Sequence, residues 1–223
     1  HGEREVVTRT VEGPIHRTTY ADIHLRARKT AQALTKLGVK QGDMVATMAW
    51  NTYRHMEAWY GIMGMGAVCH TLNPRLFAEQ LTYIINHAED KFIIFDTSFV
   101  PVIEAVADTI PNVKGFIILT DKAHMPETKL KNVYCFDDLV EAEDGNFDWA
   151  DVDENDACGL CYTSGTTGNP KGVLYSHRSN VLHALAANSA DAIGLRSVDA
   201  IMPVVPMFHA NAWAITFAAP AAG

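Results

Sequence analysis

Short, almost wholly apolar runs alternate along this chain with longer segments of helical period, and that alternation restricts the fold more than any other feature. Met44–Ala49, Phe92–Phe95, Phe116–Leu119 and Ala157–Tyr162 carry few polar side chains. A strand covered by helices on both faces needs such a run, whereas a strand with one wet face would alternate. Between the runs, Tyr20, Ile23, Ala27, Ala31, Leu34 and Leu37 recur at helical spacing. Thr19 with Asp22 reads as a capping box ahead of that helix, and Gly38 ends it. Tyr53 to about Gly66, Phe77–Ala88 and Val100–Ala107 read as further helices, and Ala67–Cys69 as a short apolar run. Glu5–Thr10 alternates as a strand that ends at the turn Glu12-Gly13-Pro14. The order predicts an α/β fold of layered sheets flanked by helices, with parallel strand pairs.

At roughly 100–200 residues per domain, 223 residues make one large domain or two small ones. The sequence divides into a first α/β lobe at 1–140, an acid-rich linker at 141–156 and a final segment at 157–223. Asp121–Lys131 is polar and reads as a surface excursion. A hydrophobic share of 48% with 20% charged residues excludes a disordered chain. The 18 Lys+Arg against 26 Asp+Glu give a net charge of −8 with no basic block, which argues against nucleic acid or anionic membrane as the main partner. The longest apolar tracts, around Ala200–Phe208 and Ala212–Gly223, are short and broken by proline, so no transmembrane segment is expected. The opening His-Gly-Glu-Arg is not a basic-then-apolar signal, and the absence of an initial Met points to a true N-terminus upstream.

Four cysteines, Cys69, Cys135, Cys158 and Cys161, are too few and scattered for a secreted disulfide framework. Cys158-Gly-Leu-Cys161 is a CxxC, and a thiol oxidoreductase is the function it would serve. On a strand, however, residues three apart point to opposite faces, so packing cysteines in a reducing cytoplasm are the expectation. Gly64-Met-Gly66 lacks the third glycine of a dinucleotide loop, where Cys69 stands, and precedes a strand; close packing accounts for it better. His177 and His183 lie at the wrong spacing to share a helical face, no HExxH exists, and His70 and His87 read as structural.

The stretch with chemistry in it is Tyr162-Thr-Ser-Gly-Thr-Thr-Gly-Asn-Pro-Lys-Gly172, between an apolar strand and another at Val173–Tyr175. Ser164, Thr166 and Thr167 supply hydroxyl donors, and Gly165 and Gly168 let backbone N–H groups converge on an anion. Lys171 adds a mobile positive charge. Together they read as a phosphate cradle, with a polar surface turn as the plain alternative, since Ser, Thr, Gly, Pro and Asn are turn residues in any case. It is not a Walker A loop, because Pro170 stands where that pattern needs glycine and Gly172 where it needs Ser or Thr.

This stretch closely resembles the phosphate-binding signature of the adenylate-forming superfamily. Met44–Asn51, Gly66-Ala-Val68 with Thr71-Leu-Asn-Pro-Arg75, Tyr83–Asp90, Tyr175-Ser-His-Arg178 and Pro203–Trp213 extend the resemblance, which points to the fatty-acid and medium-chain acyl-CoA ligase branch. Only Ala214–Gly223 matches less well. The resemblance implies the N-terminal part of that fold and a two-step reaction. A fatty acid attacks the α-phosphate of ATP to give an acyl-adenylate and pyrophosphate, and coenzyme A then displaces AMP. It implies ATP, Mg²⁺ and coenzyme A as cofactor and co-substrates, a small-molecule carboxylic acid as partner, and a possible homodimer. By position, Ser164, Gly165, Thr166, Thr167, Gly168 and Lys171 would hold the β- and γ-phosphates, and Thr163 would contact the Mg²⁺. His209 would lie beside the carboxylate and α-phosphate with Ala210, and Trp213 would guard the acyl tunnel; Lys171 and His209 are thus the implied catalytic residues. Phe208, His209 and Trp213 also admit a plain core reading.

The family's motifs for adenine, ribose, the second magnesium contact, the hinge and the C-terminal lysine do not occur in residues 1–223. The chain therefore reads as an N-terminal portion of a longer enzyme, with a non-catalytic nucleotide-binding or dimerisation fragment as the alternative.

Overall fold

The computed structural model describes residues 1–163 and 169–223. Glu5–Arg9 (β1) and Ile15–Thr19 (β2) form an antiparallel hairpin. The second strand has no apolar alternation of its own and is set by pairing with the first. Tyr20–Lys36 (α1) follows directly, and its capping box is formed: Asp22 N donates to Thr19 Oγ1 at 3.2 Å, and Thr19 N to Asp22 Oδ2 at 3.1 Å. Gly38 leaves the helix at φ +90°, a conformation that costs glycine nothing.

The chain then alternates: Met44–Met48 (β3), Tyr53–Gly64 (α2), Val68–Thr71 (β4), Ala78–Ala88 (α3), Phe92–Phe95 (β5), Val100–Val106 (α4), Gly115–Ile118 (β6), Val133–Cys135 (β7) and Phe136–Glu141 (α5). Ala157–Thr163 (β8), Lys171–Ser176 (β9), His177–Ala187 (α6) and Ile215–Ala222 (α7) complete it. One seven-stranded sheet runs β7-β6-β5-β3-β4-β8-β9. Every pair is parallel except β8 with β9. The chain steps from β3 to β4 on one side, then crosses back to β5 on the other. This is a doubly wound topology whose switch point lies between β3 and β5.

The apolar runs are explained by what covers them. Val45, Ile94 and Ile117 pack with Leu34 of α1, Trp59 and Ile62 of α2 and Phe136 of α5. Their neighbours Ala46, Ile93, Phe95 and Ile118 pack with Leu81, Ile84 and Ile85 of α3 and Ile103 of α4. Both faces of the central strands are dry, so no polar alternation survives in the sequence.

An ionic cluster ties the hairpin to the helices on one face. Arg54 reaches Glu12 and Asp137, each at 2.8 Å, while Arg26 reaches Glu57 at 2.9 Å and Asp137 at 2.7 Å. Burial pushes the Glu57 carboxyl up to about 8 despite Arg26 beside it. The acid-rich segment 142–156 lies across α1 and α2. Arg28 Nε donates to the Phe147 carbonyl at 2.7 Å, Ala150 N to the Gly64 carbonyl at 2.9 Å, and Lys36 pairs with Glu143 at 2.7 Å. Gly64 sits under the Trp149 indole, where any side chain would collide. Close packing is thus what this glycine serves. Among the described residues no helix is long and apolar enough to cross a membrane.

Candidate functional site

In parallel sheets the carboxyl ends of the strands form the ligand-binding edge, because the connecting loops open there. β3, β4, β5 and β8 all end on that edge, and the antiparallel β9 begins on it. Thr163 closes β8 and Lys171 opens β9, as the last register pair of the hairpin. The Thr163 hydroxyl donates weakly to the Lys171 carbonyl at 3.4 Å, and both residues are exposed. Ser164, Gly165, Thr166, Thr167 and Gly168 lie outside the described residues, between these two ends.

Behind the hairpin the Tyr162 ring crosses toward α3. Its hydroxyl meets His87 Nδ1 at 2.6 Å, and its ring lies 5.2 Å from that of His70. Burial raises the phenol to about 12, with the negative charge of Asp90 adding to the effect. A Cβ at position 172 would come within 3.3 Å of Tyr162 Cζ, so Gly172 leaves room for this ring. His70 Nδ1 meets Asp90 Oδ2 at 2.8 Å, both side chains being fully buried. Burial pushes the Asp90 carboxyl up, and His70 opposes that shift. The sequence reading of His70 and His87 as structural fits these contacts with Asp90 and Tyr162.

The segment 203–208 lies over the β3–β5 switch point. Asn51, just past β3, donates from Nδ2 to the carbonyls of Pro203 at 3.0 Å and Val205 at 2.9 Å. Its Oδ1 accepts from Met207 N at 2.7 Å. Met207 and Phe208 are buried, and the Phe208 ring packs edge-on against Trp50 at 6.4 Å. Trp50 N donates to Asp96 Oδ2 at 2.6 Å, beyond the end of β5. Burial pushes the Asp96 carboxyl up to about 7.

His209 and Ala210 emerge exposed from this anchor. Ala210–Ala214 then turns with left-handed backbone, φ between +45° and +59°. Such a turn costs non-glycine residues roughly 1–2 kcal/mol each, so its surroundings must hold it. Asn211 is buried and accepts the Cys161 thiol hydrogen at Oδ1, 3.1 Å away, while Trp213 is 57% exposed. Thr163 and Lys171 thus share the hairpin mouth, and His209, Ala210 and Trp213 share the turn. Among the described residues no hydrogen bond joins the two groups directly; the Cys161–Asn211 contact links the elements that carry them.

Cys158 and Cys161 are free and buried on β8, whose pairing with β9 shifts register between Ala157 and Gly159, so the simple alternation expected of the strand does not hold across Cys158. Cys158 Sγ accepts from Asn180 Nδ2 at 3.1 Å, and burial pushes its thiol up to about 11. Neither is a reactive thiolate. A separate apolar cavity of about 530 Å³ lies between α1, α2, α6 and α7, with Ile23, Met63, Leu185 and Phe217 in its walls. None of Thr163, Lys171, His209, Ala210 or Trp213 lines it. Sequence reasoning gave no part to Asn51, Cys161 or Tyr162 in holding the site, although all three fall inside motifs it singled out.

The family described as AMP-binding enzyme matches residues 1–223. The medium-chain-fatty-acid–CoA ligase of Ectopseudomonas oleovorans is 48% identical over 223 residues, 100% of this chain and 41% of that protein. The 3-methylmercaptopropionyl-CoA ligase of Ruegeria lacuscaerulensis is 49% identical over 213 residues, 96% of this chain and 40% of that protein. The chain thus spans about two-fifths of the length of these curated relatives. The inhibitor-bound N-terminal domain of FACL13 from Mycobacterium tuberculosis superposes with a TM-score of 0.78 at 29% identity, over 93% of this chain and 49% of that one.

Proposed function

The chain belongs to the AMP-binding enzyme family, and from that premise we propose that the whole protein is an ATP-dependent acyl-CoA ligase, converting a fatty acid, ATP and coenzyme A to acyl-CoA, AMP and pyrophosphate. The observation that carries the reading is the β8–β9 hairpin mouth. Thr163 and Lys171 bracket a Gly/Ser/Thr loop on the carboxyl edge of the sheet, with the His209 turn tied to the same strand.

In this reading Lys171 and the loop Ser164–Gly168 bind the β- and γ-phosphates and the departing pyrophosphate. Adenylyl transfer needs charge neutralisation and in-line positioning more than covalent help from the protein. His209 lies beside the carboxylate and α-phosphate, Ala210 borders the acyl group and Trp213 guards its entry. The Thr163 hydroxyl is a hard oxygen donor at an exposed position, which suits Mg²⁺, an ion that keeps most of its shell as water and phosphate oxygen. When bound, that ion neutralises phosphate charge. In this reading 1–140 and 157–223 are two functional segments and 141–156 their linker; both segments contribute strands to the same sheet, where β4 pairs with β8. A reducing cytoplasm is the setting that four free, buried cysteines favour.

The test is acyl-CoA formation by the full-length protein with medium- and long-chain fatty acids and 3-methylmercaptopropionate. Thioester and AMP should appear in equal amounts with a fatty acid. Failure with every carboxylic acid would contradict the reading.

A further inference from the structure

Asn51 acts on the segment ahead of His209 as a neighbouring strand would. Its amide takes the carbonyls of Pro203 and Val205 and the N–H of Met207, which recur at the two-residue period of an extended chain. Segment 203–207 belongs to no sheet, so these bonds stand where ladder bonds would otherwise be. Burial supplies little at its start, since Met202 and Val204 are each 81% exposed. The bonds saturate both N–H groups of the side chain and place it at the β3 end of the switch point. His209 lies two residues beyond the last bonded group, and its own N–H closes onto the Pro206 carbonyl at 2.9 Å, within the clamped segment.

We propose that Asn51 is a positioning residue for His209, fixing where the imidazole meets the reacting carboxylate. This inference rests on the acyl-CoA ligase reading above. Asp at position 51 keeps the acceptor for Met207 N but turns a carboxylate oxygen toward the carbonyls of Pro203 and Val205, so it breaks the clamp at unchanged volume. Alanine removes the clamp entirely.

The test uses the full-length protein with Asn51→Ala, Asn51→Asp, His209→Ala and the double variant Asn51→Ala/His209→Ala. Both Asn51 variants should lower kcat/KM for the acid in pyrophosphate exchange by about 10- to 100-fold, the scale of a misplaced catalytic group. KM for ATP should change less than about threefold. The double variant should be no slower than His209→Ala beyond about threefold, because the two substitutions remove one function. Independently of turnover, the Met207 amide should exchange with deuterium faster in Asn51→Ala, which removes its acceptor. Unchanged Met207 exchange in Asn51→Ala, or losses that multiply in the double variant, would overturn the role of Asn51. A wild-type protein without exchange activity toward any acid would instead overturn the ligase reading, while Met207 exchange would still report on the clamp.

Discussion

The Cys161 thiol donates to Asn211 Oδ1 at 3.1 Å, joining the strand that ends at Thr163 to the turn that follows His209 and holds Trp213. The same sulfur lies 3.1 Å from Thr71 Oγ1 at the end of β4, so two strands and the turn meet at one buried atom. Asn211 Nδ2 has no partner among the described residues. The contact is therefore the only side-chain bond by which Asn211 is held within them, and it fixes the spacing between the two halves of the site.

Cys161→Ala should destabilise the protein by about 1–3 kcal/mol, because it leaves a buried amide oxygen unpaired. Cys161→Ser restores a donor and should recover part of that loss. Urea unfolding of the three proteins measures both. Equal stability of the alanine variant and the wild type would show that the contact contributes nothing.

Lys171→Ala should slow the adenylation half-reaction of the full-length protein by roughly 10²-fold or more, the scale of losing one preorganised electrostatic contact. Thioester formation from a pre-formed acyl-adenylate should change far less, since pyrophosphate has already left. The two half-reactions measured separately decide the point; equal losses in both would remove Lys171 from its assigned role.

Trp213, at 57% exposure, is not a core side chain. Trp213→Ala should therefore cost less than the roughly 3–5 kcal/mol of truncating a buried aromatic. If the indole gates the acyl tunnel, the variant should bind a fluorescent fatty acid without ATP, whereas the wild type should need ATP first. ATP enhancement of equal size in both proteins would make Trp213 a wall residue.

Asp96 sets a pH dependence of stability. Burial raises its carboxyl from 3.8 to about 7, with Trp50 N and Arg54 opposing the shift and Glu12 adding to it. The folded state therefore holds a proton that the unfolded chain releases near its ordinary value. The stability tied to that proton is fully present below pH of about 4 and is lost as pH rises through about 7. Asp96→Asn, neutral at every pH and still able to accept from Trp50 N, should be more stable than wild type at pH 8, by an amount that shrinks toward pH 4. Chemical unfolding across that range measures it. A difference that does not vary with pH would contradict the buried-carboxyl account.

The dry central strands were legible in the sequence because burial on both faces leaves unbroken apolar runs: the limits of β5 fall as the pattern predicts. Thr19, Asp22 and Gly38 announced the ends of α1 for equally local reasons. The strand β2 and the edge strand β7 were not legible, since each is short and mixed in polarity and takes its form from pairing. The site divides in the same way. The composition of the loop from Thr163 to Lys171 speaks for phosphate at a glance. The Asn51 clamp and the Cys161–Asn211 joint connect residues far apart in the chain, through single polar atoms that leave no periodic trace.

The central claim is that this chain holds the phosphate half of an adenylation site. Isotope exchange between pyrophosphate and ATP, catalysed by the full-length protein without coenzyme A, tests it most directly. The account predicts exchange that requires a fatty acid and falls roughly 10²-fold in Lys171→Ala. Exchange that needs no acid, or that Lys171→Ala leaves at the wild-type rate, would contradict it.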